Sequence, residues 1–498
     1  MKTAQALTML SLRDLPPLQL SAFVSNCAER LNAGERLVTL FGRSEKNDGV
    51  DDLLVTAVFQ PADGQLMVLR ARAEAGENYP SLTARYPAAQ IYERELWEQT
   101  GLQPKGHPWL KPVRFEGERQ QHMADYPFFK VRGQEVHEVG VGPIHASVIE
   151  PGHFRFMCLG EKVHHLEIQL GYQHRGVEAL LLRRPPMTLA STVESICGDS
   201  CIAYAWGYCT AIEALTDTPV AFETELLRGV ALEMERVAIH LATLGGMATD
   251  IAFLQGGGTY GRLRTAIINA SQRICGNRFG RGWLRPGQAR GLTETLRQDL
   301  IQTLGAFAKD FAEVNDLMLS SRSVKARLQG TGRISAITAQ ALGLVGLAAR
   351  ASGVPIDART QLPGRLYNTV PIEQLTESTG DCWARMKLRM REVDVSIAWL
   401  IRILGDAALD LSGANSRKNV IRQQLRAESM CVSLIESTRG PVIQVLETSA
   451  QGQLLHYKVQ DPSLPNWFGV AMALRDNEIS DFPICNKSFD LSYCGNDL

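Results

Sequence analysis

The chain contains ten cysteines, and thiolates are well suited to binding soft metal ions or to pairing as disulfides. Four of them could converge as a disulfide or an unusual metal site: Cys197, Cys201, Cys485 and Cys494. The alternative for all ten is the structural role of a small buried hydrophobe. Their irregular spacing does not suggest a disulfide scaffold and fits a reducing, cytoplasmic setting. No ferredoxin-type cysteine run is present, so this chain alone is expected to bind no iron–sulfur cluster.

Residues able to move protons are concentrated in GPIHASVIEPGHFRF, residues 142–156. His145 could donate a proton to a carbonyl oxygen, since the ordinary pKa of histidine lies near neutrality. Glu150, with His153 and Arg155, could belong to a proton path, because a buried carboxylate beside a cavity has a shifted pKa. The alternatives are a histidine hydrogen-bonded within a tight loop and a carboxylate satisfied by loop amides.

Two further motifs carry charged residues. His174 and Arg175 in GYQHRG are expected to organise a cavity wall through hydrogen bonds to carboxylates, which the planar guanidinium suits. Glu235 and Arg236 in LEMERVAIH could pair across helices in the same way. The glycines of RFGRGWLRPG mark turns, and no G-x-G-x-x-G follows a strand, so no nucleotide site is predicted.

The elements that must position these residues form at least two domains, because 498 residues exceed one compact core. Residues 1–120 have the pattern of a small α/β domain. Its predicted elements are strands at 38–43, 53–60 and 65–73, a turn at 61–64 and a helix within 81–102.

The polar stretch EGERQQHMADYP marks the connection, with 121–138 assigned as a linker and 139–498 as the second domain. A short antiparallel sheet is predicted within 139–170, followed by helices to about residue 410 and strands after Met430. One helical stripe has the three- and four-residue spacing of core packing: Val230, Met234, Val237, Leu241 and Leu244. The predicted fold class is α+β.

Charge and hydropathy exclude several classes of protein. Lys and Arg number 52 against 53 Asp and Glu, which leaves no electrostatic footprint for nucleic acid. No signal peptide is visible, and no stretch approaches the roughly 18 apolar residues of a membrane span. If the protein works at a membrane, other subunits must hold it there.

Local motifs resemble a known family. YPAAQIYERELWEQTGLQPKGHP, residues 86–108, resembles the signature of the complex I 30-kDa-type subunit, through Glu93, Arg94, Glu95, Gly101, Leu102, His107 and Pro108. The remainder resembles the complex I 49-kDa-type subunit and the [NiFe]-hydrogenase large subunit, in segments that follow the family's order. They include GPIHASVIEPGHFRF, LGYQHRGVEALL, RICGNRFGRGWLRPG, ESTRGPV and DFPICNKSFDLSYCGNDL. The fused arrangement is most similar to hydrogenase-3/4 and formate-hydrogenlyase large subunits.

The resemblance implies a nickel–iron site held by thiolates in E-R-x-C-G-x-C-x-x-x-H and D-P-C-x-x-C-x-x-[HR]. In ESICGDSCIAY, Cys197 and Gly198 match the first motif, whereas Ser195, Ser200 and Tyr204 replace its arginine, second cysteine and histidine. Cys201 stands one place too late.

The second motif is more degenerate. Asp490 matches, but Ser492 and Gly495 replace both cysteines, Cys494 is displaced by one, and Leu498 replaces the final basic residue. A hydroxyl is a poor substitute for a bridging thiolate. A one-residue shift on a helix turns a side chain by about 100°. We therefore expect no nickel–iron centre and no other metal.

In complex I the same cavity receives a quinone headgroup, beside a G-P-x-H-P-x-x-H loop and a tyrosine. His145 matches the first histidine, Ala146 replaces the proline, and Leu189 stands where the tyrosine would be. Of the features that the resemblance links to quinone binding, this chain thus keeps the first histidine and lacks the tyrosine. The residues expected to handle protons in this cavity are His145, Glu150, His153 and Tyr204.

The predicted function is a core electron-transfer subunit of a membrane-associated complex. The implied partners are a [4Fe–4S] small subunit, a ferredoxin-like iron–sulfur subunit and antiporter-like membrane subunits, which would keep the chain on the inner face of the cell membrane. A possible quinone would bind at the subunit interface. The alternatives are a working hydrogenase with altered ligands and a non-catalytic coupling scaffold.

Overall fold

The computed structural model describes residues 7–47, 50–61, 64–116, 122–131, 133, 135–414, 422 and 424–498. Parts of the predicted turn at 61–64 and of the predicted linker at 121–138 lie outside these residues. Within them, helices and small sheets are mixed as an α+β protein, which confirms the predicted fold class.

The N-terminal domain is a four-stranded sheet with helices, in the strand order β2-β5-β4-β3. Its elements are β2 (Leu18–Gln19), α1 (Leu20–Asn32), β3 (Arg36–Asn47), β4 (Val50–Gln60), β5 (Met67–Glu74), β6 (Asn78–Pro80), α2 (Gln90–Thr100) and β7 (Gln103–Lys105). The three strands predicted here are confirmed as β3, β4 and β5, and α2 lies within the predicted helix. One face of the sheet packs on both helices through residues such as Leu40, Val55 and Leu96.

The second domain begins with the predicted antiparallel sheet, in the order β10-β9-β8. Its strands are β8 (Val136–Val141), β9 (His153–Leu159) and β10 (Lys162–Gln169), with the proton-handling segment in the loop between β8 and β9. Helices follow as predicted: α3 (Val177–Leu182), α4 (Ala190–Val193), α5 (Cys201–Leu215), α6 (Phe222–Asp250), α7 (Leu254–Cys275), α8 (Glu294–Ser320), α9 (Arg322–Leu328), α10 (Ala336–Ala341), α11 (Gly346–Arg350), α12 (Ala358–Gln361), α13 (Gly364–Thr369) and α14 (Cys382–Gly405).

The α6 helix is the centre of this domain. The apolar stripe that the spacing predicts on it is buried along its whole length, against α7 and α14. A two-stranded hairpin, β11 (Leu284–Arg285) and β12 (Gln288–Ala289), joins α7 to α8.

The last sheet joins the two ends of the chain, in the order β1-β13-β14-β15. It consists of β1 (Leu7–Ser11), β13 (Ser429–Glu436), β14 (Pro441–Thr448) and β15 (Leu454–Gln460), and is followed by α15 (Ser463–Ala473), α16 (Phe482–Phe489) and α17 (Tyr493–Asp497). Every residue of β13 and β14 is buried. Residues such as Val432 face the N-terminal domain, while Cys431 faces the helical core, as the period-two geometry of a strand requires.

The N-terminal strand β1 therefore belongs to the second domain, where Leu7 pairs with Ser433. The predicted 1–120 domain included residues 7–11, whereas the structure pairs them with β13, because a short edge strand carries no local sign of which sheet it joins. Across the described residues, no helix combines the length and the hydropathy that a membrane crossing needs.

Candidate functional site

The candidate site lies where the start of α5 meets the start of α17. Cys197 precedes α5, and Ser492 caps α17 by accepting a hydrogen bond from the Gly495 amide at 2.9 Å. The Ser492 hydroxyl is 3.2 Å from Cys197 Sγ and 3.5 Å from Cys494 Sγ. We call Cys197, Ser492 and Cys494 the thiol centre.

Cys494 corrects one expectation. A residue displaced by one place was expected to point away, yet its thiol contacts the same Ser492 hydroxyl as Cys197 does. The helical rotation argument fails because Asp490 has a positive φ of 55° and the helix begins only at Tyr493, so the segment is not a continuous helix. Cys201 does point elsewhere, since its thiol donates to the Gly198 carbonyl at 3.1 Å.

The four cysteines do not converge as one group. Cys197 and Cys494 share the Ser492 hydroxyl, whereas Cys485 lies near Cys382, at the start of α14, with both sulfurs beside Gly332. We call these two residues the Cys382–Cys485 pair. Within the described part of the chain, no group of three or more His, Cys, Asp or Glu residues has an arrangement that could hold a metal ion.

An ion network supports the thiol centre. The Arg439 guanidinium donates to both carboxylate oxygens of Asp199, at 2.8 and 2.7 Å, and lies 3.3 Å from the Asp490 carboxylate. The Cys197 thiol donates to Asp199 at 3.1 Å. Burial alone would raise the pKa of Asp490, but Lys487 and Arg439 lower it, so Asp490 is an anion. Asp490 thus anchors Arg439, which holds Asp199 against the thiol.

Tyr204 lies in the first turn of α5. Its side chain is fully buried, and its hydroxyl donates to Asp461 at 2.6 Å. Burial and the Asp461 carboxylate raise the pKa of Tyr204 well above its ordinary value. The hydroxyl therefore fixes the position of the Asp461 side chain.

Glu235 is the acidic group with the most strongly raised pKa near the centre. It accepts hydrogen bonds from the Ile202 amide at 2.7 Å and the Ala203 amide at 3.3 Å, at the start of α5. Burial raises its pKa to about 8 in spite of these amides. Arg236 contacts Glu233 on its own helix and the carbonyls of Glu436 and Ser437, so the predicted pairing across helices takes a different form.

Three of the four predicted proton-handling residues are close in the chain: His145 and Glu150 lie in the loop between β8 and β9 and His153 begins β9, whereas Tyr204 lies on α5. Glu150 accepts from the Gln173 amide group at 2.7 Å and from the Cys494 backbone amide at 3.2 Å, which brings the loop to the thiol centre. The His145 Nε2 is 2.7 Å from the Gly152 carbonyl, and the His153 Nδ1 is 3.2 Å from the Gly142 carbonyl. Both histidines are thus bonded within their own loop, and both remain partly exposed.

The GYQHRG segment holds the C-terminal helix through its backbone and side chains together: the Gly171 and Gln173 amides donate to the Asp497 carboxylate at 2.8 and 2.9 Å, whereas Arg175, which was expected to bind carboxylates, binds backbone carbonyls. Arg175 donates to the carbonyls of Ser195, Ile196 and Cys494 at 2.8 to 3.1 Å. The His174 Nδ1 is 2.8 Å from the Asp497 carbonyl, and its Nε2 is 3.7 Å from the Glu116 carboxylate. The planar guanidinium suits three carbonyls from two segments as well as it suits a carboxylate.

Three functional residues were missed from the sequence. Asp199 stands inside the degenerate first motif and Arg439 inside ESTRGPV, so both were within segments already singled out. Asp461 follows β15 in a stretch with no motif, and only the fold brings it to Tyr204, 257 positions away.

Comparison with known proteins agrees with this architecture. Residues 258–431 match the family described as the respiratory-chain NADH dehydrogenase 49 Kd subunit, and residues 15–130 match the 30 Kd subunit. Formate hydrogenlyase subunit 5 of Escherichia coli is 28% identical over 92% of this chain and 84% of its own length. Hydrogenase-4 component G of the same organism is 24% identical over 92% of this chain and 83% of its own length.

One solved structure is similar in fold. It is the membrane-bound sulfane sulfur reductase, an archaeal respiratory membrane complex, with a TM-score of 0.66 and 20% identity. The match covers 73% of this chain and 99% of that chain. A likeness at this identity speaks for the fold alone.

Proposed function

We propose that this chain is the core electron-transfer subunit of a membrane-associated oxidoreductase complex and that it holds no nickel–iron centre. The proposal starts from kinship: the chain belongs to the superfamily of complex I 49-kDa-type subunits and [NiFe]-hydrogenase large subunits, with a 30-kDa-type domain fused to it. The thiol centre and the loop between β8 and β9 would face a [4Fe–4S] small subunit, and this site would serve a quinone or proton transfer. The coarser role, a core subunit of a complex I-related, hydrogenase-like complex, follows from the kinship itself.

The observation that carries the proposal is the surroundings of Gly495, a cysteine position of the family motif. A Cβ at this residue would lie 2.3 Å from Asp461 Oδ2. The carboxylate is held there by the Tyr204 hydroxyl at 2.6 Å and by the Ser463 amide at 2.7 Å. Space that a thiolate would need is therefore filled by a fixed anion.

The other donors also argue against a nickel–iron pair. Ser492 and Ser200 offer hydroxyls, and the Ser200 hydroxyl lies 3.4 Å from the Arg439 guanidinium. Hydroxyls are hard, weakly acidic donors, whereas a metal pair of this kind needs bridging thiolates. Two thiols and two hydroxyls do not fit the group, and no step of the chemistry is assigned to it.

The loop between β8 and β9 is the part of the site that we expect to meet partners and protons. Its Ile144 and Val148 side chains are 86% and 83% exposed, an apolar surface that suits a partner subunit. Glu150 reaches from this loop to the amide of Cys494. A quinone headgroup or a proton route here would pass between His145 and Glu150.

Partners are proposed from the names of relatives. These relatives include a membrane-bound hydrogenase subunit of Pyrococcus furiosus and an NADH-quinone oxidoreductase subunit of Clostridium beijerinckii. We expect a [4Fe–4S] small subunit, a ferredoxin-like subunit and antiporter-like membrane subunits to hold this chain on the inner face of the cell membrane.

Metal analysis of the purified complex tests the absence of the nickel–iron centre. We expect less than one-tenth of a nickel atom per chain, and the same value in a Cys197→Ala variant. One nickel atom per chain that disappears in the variant would make this protein a hydrogenase with altered ligands.

Quinone reduction by the purified complex tests the second part of the proposal. We expect His145→Gln and Glu150→Gln to lower turnover at least tenfold while the complex stays assembled. The matched controls are His137→Gln on β8 and Glu161→Gln after β9, both exposed and without a contact to the thiol centre. Unchanged turnover in all four variants would make the cavity a structural scaffold.

A further inference from the structure

The thiol centre holds two cysteines that differ in access. Cys197 is fully buried, whereas Cys494 is partly exposed beside the loop that contains Glu150. The Ser492 hydroxyl lies 3.2 Å from Cys197 Sγ and 3.5 Å from Cys494 Sγ, so both thiols contact the same oxygen. The pair is therefore close, ordered and open on one side.

The bonds around the pair fix which thiol faces outward. The amide of Cys494 donates to Glu150 and its carbonyl accepts from Arg175, so its backbone is held at both groups. Cys197 donates to Asp199, which Arg439 holds in turn. Cys494 is therefore the thiol that an external disulfide can reach, while Cys197 lies behind it at the shared Ser492 hydroxyl.

We propose that Cys494 and Cys197 form a redox-active dithiol site for small organic disulfides, with Cys494 as the attacking thiol and Cys197 as the resolving one. This rests on the proposed function, since a metal at the same place would occupy both sulfurs. No nickel–iron chemistry is needed for it.

The step is an ordinary thiol–disulfide exchange. Cys494 Sγ, as a thiolate, attacks one sulfur of the small disulfide; a mixed disulfide forms and the first small thiolate leaves. Cys197 gives up its proton on the side of Asp199 and attacks Cys494 Sγ, and the second small thiolate leaves. The two cysteines lose two electrons, and the small disulfide gains two electrons and two protons as two thiols.

The chain contains its own control. Cys382 and Cys485 also lie close together, since a Cβ at Gly332 would lie 3.4 Å from Cys382 Sγ and 2.7 Å from Cys485 Sγ, and both cysteines are 0% exposed. A small disulfide cannot approach either sulfur without local unfolding. A comparison of the two pairs therefore distinguishes the effect of solvent access to a thiol from the effect of the distance between two sulfurs. A single pair could not do this.

The test uses cystamine on the reduced, purified complex, followed by alkylation in denaturant and mass spectrometry. We expect two thiols per chain to be lost and a Cys197–Cys494 disulfide to form, while Cys382 and Cys485 stay at least nine-tenths alkylated. In Cys197→Ser the reaction should stop at a Cys494–cysteamine disulfide. In Cys494→Ser, Cys197 should stay free.

Two results would overturn the inference: a Cys494 that remains free in the wild type, or a stable Cys494–cysteamine adduct beside a free Cys197. The nickel content of the same sample shows whether a negative result refutes only the dithiol site or the proposed function as well. Unreactive thiols with one nickel per chain refute the proposed function as well, whereas unreactive thiols without nickel refute only the dithiol. The thermal unfolding midpoint of each serine variant shows that it has folded.

Discussion

The thiol centre and the Cys382–Cys485 pair place the same chemical group in two different surroundings. Cys197 donates to a carboxylate, and its partner Cys494 is partly exposed. Cys382 instead lies 3.4 Å from the Arg385 guanidinium, and its partner Cys485 is closed off by Gly332. Proximity of the two sulfurs is common to both pairs, while access and charge are not.

The difference teaches how an arginine acts on a buried thiol. Arg439 is neutralised by Asp199 and Asp490, so its charge is already compensated. Arg385 donates to the Gly332 and Gly380 carbonyls and the Ser488 hydroxyl, and no carboxylate pairs with it in the part of the chain described. Burial alone would raise the pKa of Cys382, but Cys485 and Arg385 lower it. A thiol that has a lowered pKa but cannot be reached from solvent is expected to serve as the counterion of the arginine and not as a reactive group.

The largest expected contrast comes from removing each arginine. Arg439→Met leaves Asp199 and Asp490 without their shared cation. Breaking a fully buried ion pair from one side costs about 3–5 kcal/mol, and we expect a loss of about 3 kcal/mol, because the Asp199 side chain is 38% exposed and Asp490 keeps Lys487. Arg385→Met leaves three neutral acceptors unpaired, while the Cys382 thiol can take up a proton once its neighbouring cation is gone, so we expect a loss of roughly 1–2 kcal/mol. Urea unfolding of the purified variants measures both, and equal losses would contradict the assignment of different partners.

Substitution of two glycines, one beside each pair of cysteines, should give a smaller difference in the free energy of unfolding. A Cβ at Gly332 would lie 2.7 Å from Cys485 Sγ, and its φ of 63° strains any side chain. A Cβ at Gly198, beside Cys197, would meet nothing within 4 Å. We expect Gly332→Ala to lower the unfolding free energy by about 1–3 kcal/mol. Gly198→Ala should change it by less than about 0.5 kcal/mol. A similar loss for both in thermal unfolding would show that the second pair is not closely packed.

Much of the frame that carries these pairs could be predicted from local patterns. The alternation in β3, β4 and β5 and the stripe on α6 depend on neighbours a few positions apart, which a sequence displays directly. The degenerate motifs also singled out Cys197 and Ser492, whose side chains lie 3.2 Å apart in the structure, because a motif preserves the place of a residue even when its chemistry has changed.

The contacts that define the site could not be predicted in this way. Arg439 meets Asp199 across 240 positions, and β1 joins β13 across more than 400. Such pairings are decided by how whole layers pack, and no periodicity records them. The expectation for Cys494 failed for a local reason, since a helical rotation was applied to a segment whose helix starts at Tyr493.

The smallest expected contrast is in the pH dependence of stability, where the two regions should differ in sign. The pKa of Glu235 is raised from 4.5 to about 8 in the fold, so the folded state binds more protons than the unfolded one in that window. The contribution of Glu235 to the free energy of unfolding is then fully present below pH 4.5 and is lost as the pH rises towards 8. The pKa of Cys382 is lowered from 9.0, so its contribution is present above pH 9.0 and is lost as the pH falls through the lowered value.

Glu235→Gln keeps an acceptor for the Ile202 and Ala203 amides but removes the charge, so its stability relative to the wild type should rise with pH. Cys382→Ser removes the counterion of Arg385, so its relative stability should fall with pH. We expect each difference to change by roughly 1–2 kcal/mol between about pH 6 and pH 8. Unfolding free energies at several pH values measure this, and two differences that move in the same direction would mean that the two regions share one kind of electrostatic environment after all.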